Sequence, residues 1–241
     1  MGWNRRSEDL ADYFAAFGLN PAQAESLMNR VDPKTPLRGR PKKRLALTVR
    51  LDLTGAKPPI WRRLRLASDL NLEQLHTIIQ VAMGWHFAHL QSFEEWAPAG
   101  GHRDRLGLAT RWDESEHGAT EHGEWSVQVS QVLGQVGDRL KYVYDFGDDW
   151  HHTLRLEKVE PWTPGDPLAA CLKGRRACPP EDSGGIWGLG DFLARQDREG
   201  DADDDYWAYL PGWDPEDFDL ADVNDALLRH QEQGFADAGP F

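Results

Sequence analysis

The sequence has little cysteine and no long hydrophobic run. Its 241 residues include two cysteines, Cys171 and Cys178, and three methionines. No stretch approaches the roughly 18 consecutive apolar residues that a membrane-spanning helix needs. The first residues are polar and lack the apolar region of a secretory signal peptide. These absences predict a cytoplasmic protein without a membrane partner, in which both cysteines are reduced.

Positive charge is also scarce over most of the chain. Residues 66–241 carry 13 Lys and Arg against 34 Asp and Glu, whereas residues 1–65 carry 14 against 6. The net charge is −13. An acidic surface repels phosphate backbones, which argues against nucleic-acid binding by the protein as a whole. A basic face over residues 38–65 stays open as a contact for nucleic acid or for an acidic protein partner.

Motifs that identify common enzyme classes are missing. The chain has no phosphate-binding glycine loop and no nucleophile elbow. Its two cysteines are separated by six residues, which is not a standard zinc spacing, and no His/Cys pair has the helical i, i+4 spacing. It does have eleven tryptophans, which are typical of core and interface positions. The sequence therefore names no reaction, substrate or oligomeric state.

Alternating apolar residues predict two antiparallel strands at the start of the main domain. The first covers residues 44–53, a turn follows at 54–59, and the second covers 60–67. In the second strand, Ile60, Leu64 and Leu66 are predicted to face inward, and Trp61, Arg63 and Arg65 outward.

A helix is predicted next, from Leu72 to Met83. Asn71 and Gln74 have the spacing of a capping box, and Gly84 is suited to end the helix. A third strand is predicted over 90–96, followed by a long loop over 97–124.

A hairpin is predicted from residues 139–146 and 150–159. With a turn at Gly147-Asp148-Asp149, Phe146 would pair with Trp150, Tyr144 with His152 and Asp145 with His151. One face of this hairpin would carry six side chains: Tyr142, Tyr144, Phe146, Trp150, His152 and Leu154.

The remaining pattern completes an α+β fold, with an antiparallel sheet, a packed helix, a helical N-terminal extension and C-terminal helices. Residues 160–185 are rich in Pro and Gly and predict a loop. Helices are predicted over 186–196 and 218–230. Residues 1–43 are predicted as a helical extension, with two short helices within 7–30 and a basic linker, and 44–235 as the main domain.

Several short motifs occur in order along the main domain. They are Ile60-Trp61-Arg62, Leu75-His76-x-x-Ile79-Gln80-x-x-Met83-Gly84-Trp85, His89-Leu90-x-x-Phe93, Tyr144-Asp145-Phe146-Gly147-Asp148-Asp149-Trp150-x-His152, Cys171-Leu172-x-Gly174, Ala177-Cys178-Pro179-Pro180-Glu181-Asp182 with Gly184-Gly185, and Phe218-Asp219-Leu220 with Val223-Asn224. Together they resemble the plasmid pRiA4b ORF-3-like family over about residues 44–229. The resemblance implies an α+β fold with an antiparallel sheet and a link to plasmids and mobile elements, but no established activity.

One stretch departs from the family's pattern. After the helix the family usually reads Asp-Ser-His-Leu-His-x-Phe, whereas this chain reads Phe87-Ala88-His89-Leu90-Gln91-Ser92-Phe93. If the family uses this stretch as a polar site, the site in this chain has fewer polar groups.

The densest set of chemically versatile side chains lies in the 145–152 hairpin and the 171–182 loop. Their O, N and S atoms suit a divalent metal, with His152, Cys171 and Cys178 as candidate ligands. The acids could instead cap backbone N–H groups or pair with arginines, and a cysteine near Arg175 and Arg176 could be a reactive thiolate. The candidate cluster is Asp145, Asp148, Asp149, Trp150, His152, Cys171, Cys178, Glu181 and Asp182.

Three functions remain open at this point. The first is a binding or accessory module without catalytic activity, with a protein partner. The second is a metal-dependent enzyme with its site at the hairpin and loop. The third is a nucleic-acid-binding protein that uses the basic 38–65 face, with Trp61, Arg62, Arg63 and Arg65 as its contact residues.

Overall fold

The structure is a computed structural model that describes residues 37–95, 108–109, 122–196 and 213–235. All of these lie in one compact unit, Pro36–Phe241. The two short helices predicted within 7–30 lie outside the described residues. Among the helices that are described, none has the length and apolar character to cross a membrane.

The described residues form an α+β fold, as predicted. The strands are β1 (Leu45–Leu53), β2 (Trp61–Ala67), β3 (Gln91–Glu95), β4 (Leu108–Ala109), β5 (His122–Gly123), β6 (Arg139–Tyr144), β7 (Trp150–Pro161) and β8 (Ala169–Arg175). The helices are α1 (Leu72–Met83), a 3-10 turn (Glu124–Ser126), α2 (Val129–Val132), α3 (Gly185–Gln196) and α4 (Leu220–Glu232).

Six strands build one antiparallel sheet in the order β3-β6-β7-β1-β2-β8. The central strand β1 buries Leu47, Val49 and Leu51 almost completely. Its neighbours supply matching side chains, because Val49 pairs with Leu64 of β2 and Leu51 with Leu154 of β7. The first two strands were predicted at nearly these bounds, since alternation is a strong signal when one sheet face is buried.

Helix α1 packs its apolar stripe onto this core and occupies the predicted residues. Asn71 and Gln74 form the capping box, each side chain accepting from the other's backbone N–H at 2.8 and 3.0 Å. Gly84 ends the helix with a left-handed φ of 89°. Each buried Leu or Ile contributes about 1.5–3 kcal/mol. His76 lies inside the core, where its Nδ1 is 2.7 Å from Tyr142 Oη.

The register predicted for the β6–β7 hairpin is wrong by two residues. Tyr144 pairs with Trp150, and Tyr142 pairs with His152. The turn contains five residues rather than three, closed by the Asp149 N–H donating to the Asp145 carbonyl. A shift of two residues keeps each strand side chain on its face. Five of the six side chains predicted to share a face are buried, and Phe146 is 58% exposed in the turn.

Residues 160–185 were predicted to be a loop, but they contain strand β8. This edge strand pairs with β2, with Cys171 opposite Leu64 and Ala169 opposite Leu66. The sequence Ala-Ala-Cys-Leu-Lys-Gly-Arg has few β-branched residues, so its local preference for a strand is weak. The hydrogen bonds to β2 stabilise β8 as a strand, because its own strand propensity is weak.

The other predicted elements differ from the structure by one or two residues. β3 lies within the predicted 90–96, α3 begins one residue earlier, and α4 begins after Asp219, whose carboxylate caps the helix. Of the long loop predicted over 97–124, the structure describes only the short parallel pair of β4 and β5 and the residue after it.

Side-chain amides of α4 cover the open edge of β8. Asn224 Oδ1 accepts from the Cys171 N–H at 2.8 Å, and Asn224 Nδ2 donates to the Cys171 carbonyl at 2.9 Å. Gln231 Oε1 accepts from the Leu168 N–H at 2.6 Å. Asn224 thus pairs with the strand as a further strand would, which satisfies edge groups that otherwise invite association with another chain.

We predict that Asn224→Asp destabilises the protein by about 1–3 kcal/mol, because the Cys171 carbonyl loses its donor and a charge is placed against the strand edge. Urea unfolding measures the free-energy change. Asp225→Asn on the exposed face of α4 is the matched control, expected to change stability little. Equal stability of the two variants would contradict this role of Asn224.

Candidate functional site

Three segments meet beyond the end of the β6–β7 hairpin: the turn itself, the loop that leads into α3, and the chain that leaves α1. Asp145 comes from the turn, Asp182 from the loop and His89 from the chain after α1. These three side chains are the site's principal polar groups.

Asp145 is built into the turn by its own backbone and side chain. It has a left-handed φ of 57° and is 6% exposed. Its Oδ1 accepts from the N–H groups of Gly147 at 2.9 Å and Asp148 at 3.3 Å. Aspartate tolerates this conformation better than most residues because its short side chain bonds the local backbone. Oδ1 is therefore engaged in the turn, and Oδ2 points to the other two segments.

The loop before α3 is fastened to the same turn. Asp148 Oδ2 accepts from the Gly184 N–H at 3.0 Å. The two backbones also touch, because a Cβ at Gly185 would lie 2.2 Å from the Asp148 carbonyl oxygen. Gly185 has a φ of 66°, which glycine adopts without strain. The Gly184-Gly185 motif thus brings the loop with Asp182 against the hairpin turn.

His89 Nε2 lies between the two carboxylates. It is 3.2 Å from Asp182 Oδ1 and 3.6 Å from Asp145 Oδ2. The three ligand atoms all lie within 4.8 Å of one another. Among the described residues, this is the group of three His, Cys, Asp or Glu side chains that could hold a metal ion.

The orientation of His89 differs from that of a simple ion pair. Nε2 is shielded from solvent, yet it makes no hydrogen bond to either carboxylate oxygen. Two atoms that bind one ion at ~2.1 Å, with a bond angle of roughly 90–110°, are ~3.0–3.4 Å apart and lie off each other's bonding axis. The 3.2 Å separation of Nε2 from Asp182 Oδ1 falls within this range, and the 3.6 Å separation from Asp145 Oδ2 lies slightly above it.

A hydrogen-bonded pair flanks the three ligands. The Tyr144 hydroxyl donates to Glu181 Oε1 and accepts from the Ala88 N–H at 3.1 Å. Burial, together with the Glu181 carboxylate, raises the pKa of Tyr144, so the phenol stays protonated. Its ring stacks on Trp85 at 4.9 Å between centroids. Glu181 is thereby held next to Asp182.

The predicted metal ligands His152, Cys171 and Cys178 do not come together as a set. His152 is fully buried, and burial lowers its pKa to about 3. Burial raises the pKa of both thiols, more than the nearby Arg62 lowers it. Both cysteines are free thiols, as predicted, and protonated thiols are weak ligands and weak nucleophiles. These residues belong to the core.

Other members of the predicted cluster have structural contacts. Trp150 is buried beside Trp85, with ring centroids 5.9 Å apart. Asp149 Oδ1 lies 2.6 Å from Nε2 of His151. Of the nine predicted residues, Asp145 and Asp182 are in the ligand group, and Asp148 and Glu181 support it.

Arg62, predicted on a basic face, is instead buried at 2% exposure. Its guanidinium donates to the Ala82, Trp61 and Arg175 carbonyls at 2.8–3.1 Å and lies over the Phe218 ring. The alternation of β2 turns this side chain inward between Trp61 and Arg63. A Cβ at Gly174 would lie 2.8 Å from Arg62 Cδ, so the Cys-Leu-x-Gly motif leaves room for the arginine.

The arginines that do face outward are paired with acids. Arg63 Nε donates to Glu157 at 2.7 Å, and Arg65 forms an ion pair with Asp166. Trp61 is half-buried with Arg63 near its ring. These pairs neutralise much of the charge that a phosphate backbone would need.

Two arginines of the basic segment before β1 are also paired with acids. Arg38 pairs with Asp138, and Arg44 pairs with Asp69. Lys42 and Lys43 are exposed. Nucleic-acid binding by residues 38–65 stays a prediction, and these contacts do not favour it.

Two site residues were missed in the sequence reading. His89 stood in the His89-Leu90-x-x-Phe93 motif but was not connected with the acids far along the chain. Tyr144 is predicted only as one of six side chains on a hairpin face, whereas its hydroxyl reaches Glu181. The signal available for both residues was their place in the motifs that resemble the family.

The fold and site define a small α+β protein with an antiparallel sheet and a polar site at one end of a hairpin. The chain belongs to the plasmid pRiA4b ORF-3-like protein family, whose sequence profile matches residues 45–222. All of the site residues named above lie within this range.

Two relatives share most of the chain. The uncharacterized protein y4hQ of Sinorhizobium fredii is 31% identical over 188 residues, which cover 76% of this chain and 92% of that protein. A crystal structure of a protein of unknown function from Methanosarcina mazei Go1 has 33% identity and a TM-score of 0.64, with coverage of 76% of this chain and 98% of the other. Both likenesses support the fold, and neither assigns an activity.

We predict that His152 makes the protein less stable in acid. Its pKa is about 3 in the folded state but about 6.5 in the unfolded chain. Between these values the unfolded state binds more protons, so the stabilisation present above pH 6.5 is lost as the pH falls toward 3. The cost is about 1.4 kcal/mol per pH unit.

Urea unfolding of wild type and His152→Phe at pH 7, 6, 5 and 4 tests this. The variant should lack this part of the pH slope, whereas His151→Phe, which alters the neighbouring half-buried imidazole, should keep it. A slope unchanged by His152→Phe would contradict the prediction.

We also predict that Gly185→Ala destabilises the protein by about 1–3 kcal/mol, because its Cβ would collide with the Asp148 carbonyl and its φ is left-handed. Gly190→Ala in the same helix is the control, since a Cβ there meets nothing within 4 Å. Thermal unfolding should show a lower midpoint for Gly185→Ala alone.

Proposed function

We propose that this protein is a binding module whose site holds one divalent cation between His89, Asp145 and Asp182. The observation that supports this proposal is the convergence of one imidazole nitrogen and two carboxylate oxygens from three separate segments. Acidic side chains that only keep a surface hydrated have no need to converge on one histidine nitrogen.

A cation also accounts for the orientation of His89 better than an ion pair does. Nε2 can carry one proton, so it could donate a well-aligned hydrogen bond to only one of the two carboxylates. Nε2 makes no hydrogen bond to either oxygen. A cation held by the three side chains would offset the two negative charges of Asp145 and Asp182.

The donor set narrows the class of ion. One nitrogen and two carboxylate oxygens suit divalent first-row ions such as Mn²⁺ or Zn²⁺ better than soft ions that prefer thiolates. The thiols of Cys171 and Cys178 lie in the core and are no part of this set. Because Asp145 Oδ1 is used by the turn, Asp145 would bind through Oδ2 alone.

A metal-dependent enzyme is the second candidate function, and Glu181 is the reason to keep it. Three protein ligands leave positions for water, as in catalytic rather than structural metal sites. Glu181, held by Tyr144 beside Asp182, would be the nearby carboxylate for accepting a proton from such a water. No substrate class is indicated by these residues.

We predict about one bound Mn²⁺ or Zn²⁺ per chain. Elemental analysis of untagged protein purified without chelator measures the ion that is retained. Titration calorimetry on chelator-stripped protein measures the affinity. Asp182→Asn should weaken binding on the order of 100-fold, because a charged ligand is lost. Its side chain is 74% exposed, so folding should be unaffected.

Asp149→Asn is the matched control. Asp149 has a side chain 61% exposed in the same turn, but it contacts His151 rather than His89. This variant should bind the ion as wild type does. Two results would contradict the proposal. One is that wild type binds no ion, and the other is that Asp182→Asn and His89→Gln bind the ion as strongly as wild type does.

A further inference from the structure

Two large aromatic side chains are exposed on segments that carry or directly follow the candidate cation ligands. Trp187 is 84% exposed and Phe146 is 58% exposed. Exposed tryptophan is uncommon on a monomer, and Trp is among the residues that contribute most to protein interfaces. Neither side chain contributes its ring to the core, so folding does not explain their presence.

The backbone connects the two aromatics. Phe146 lies in the β6–β7 turn between Asp145 and Gly147, and Trp187 lies in the first turn of α3. The Gly184 N–H donates to Asp148, and Gly185 packs against the Asp148 carbonyl. The turn and the start of the helix are therefore held together by these contacts. Because this surface is already ordered, little conformational entropy is lost when a partner binds to it.

Acidic residues predominate in these segments. The turn 145–151, the loop 181–184 and α3 contain one Lys or Arg, which is Arg195 near the end of the helix. Their acids are Asp145, Asp148, Asp149, Glu181, Asp182 and Asp191. Even with a divalent cation bound by two of them, the surface stays negative. A complementary partner is therefore positively charged, and an anionic polymer is repelled.

Arginine matches both features. A guanidinium stacks on an aromatic face and also forks onto a carboxylate, whereas an ammonium does the first less well. The chain uses this contact itself, with Arg50 4.4 Å above the Trp61 ring and Arg62 4.4 Å above the Phe218 ring. We propose that the acidic–aromatic patch of Phe146 and Trp187 binds an arginine-rich segment of a partner protein.

The test uses the full chain and a fluorescein-labelled ten-residue peptide of alternating Arg and Gly. Fluorescence anisotropy at low salt should show saturable binding that weakens as salt is added. Trp187→Ala should weaken binding at least tenfold, and Trp187→Phe should restore most of it. A peptide of alternating Glu and Gly should not bind.

Leu228→Ala is the matched control for loss of an exposed apolar side chain, since Leu228 is 45% exposed on α4. It should leave peptide binding unchanged. Asp149→Asn combined with Asp191→Asn should weaken binding several-fold. The patch does not depend on the cation. Peptide binding should persist in His89→Gln, which removes a cation ligand but none of the acids of the patch, so failure of the cation site and failure of the patch give different results.

Three results would overturn the proposal. In the first, the arginine peptide does not bind, or binds Trp187→Ala as well as wild type. In the second, an oligothymidine binds in a Trp187-dependent way and the peptide does not, which makes the occupant a nucleic acid. In the third, sedimentation shows a dimer of this chain that Trp187→Ala dissociates, which makes the occupant a second copy.

Discussion

The turn closed by Asp145 is the contact on which the site depends. The carboxylate that accepts two backbone N–H groups with one oxygen also presents its other oxygen to His89. The same turn sets the β6–β7 register and fixes Asp148 where it meets Gly184. One turn thus links strand pairing, docking of the α3 loop through Asp148 and assembly of the polar group through Asp145.

Most of the motif residues make contacts that stabilise the fold, so these residues are not part of the site. Trp85 donates to the Pro179 carbonyl at 2.8 Å, Gly174 leaves room for Arg62, and Asn224 covers the edge of β8. Both cysteines and His152 are buried for packing. What remains after these contacts are accounted for is the group of His89, Asp145 and Asp182, with Glu181 beside it. Membership of the plasmid pRiA4b ORF-3-like family supports the fold that positions these residues and assigns them no activity.

Elements with strong local signals were predictable. Helix α1 has its capping box, apolar stripe and terminal glycine within fourteen residues, and β1 and β2 alternate cleanly. Strand β8 was not predictable, because its stability comes from pairing with β2 and from α4 side chains more than fifty residues away. The hairpin lies between these cases. Its period-two alternation predicted which side chains share a face. Its register depends on the length of the turn, which is closed by hydrogen bonds to the carboxylate and the carbonyl of Asp145.

The sequence by itself determined the fold class, the inward face of most strands and the two segments in which a site was expected. Hydrophobic periodicity and caps act over a few residues, so they can be read locally. Only the tertiary structure decided the composition of the site: it brought His89 to acids 56 and 93 residues further along the chain, and it buried Arg62, Cys171, Cys178 and His152. Which polar residues meet is set by long-range packing, and no local pattern carries that information.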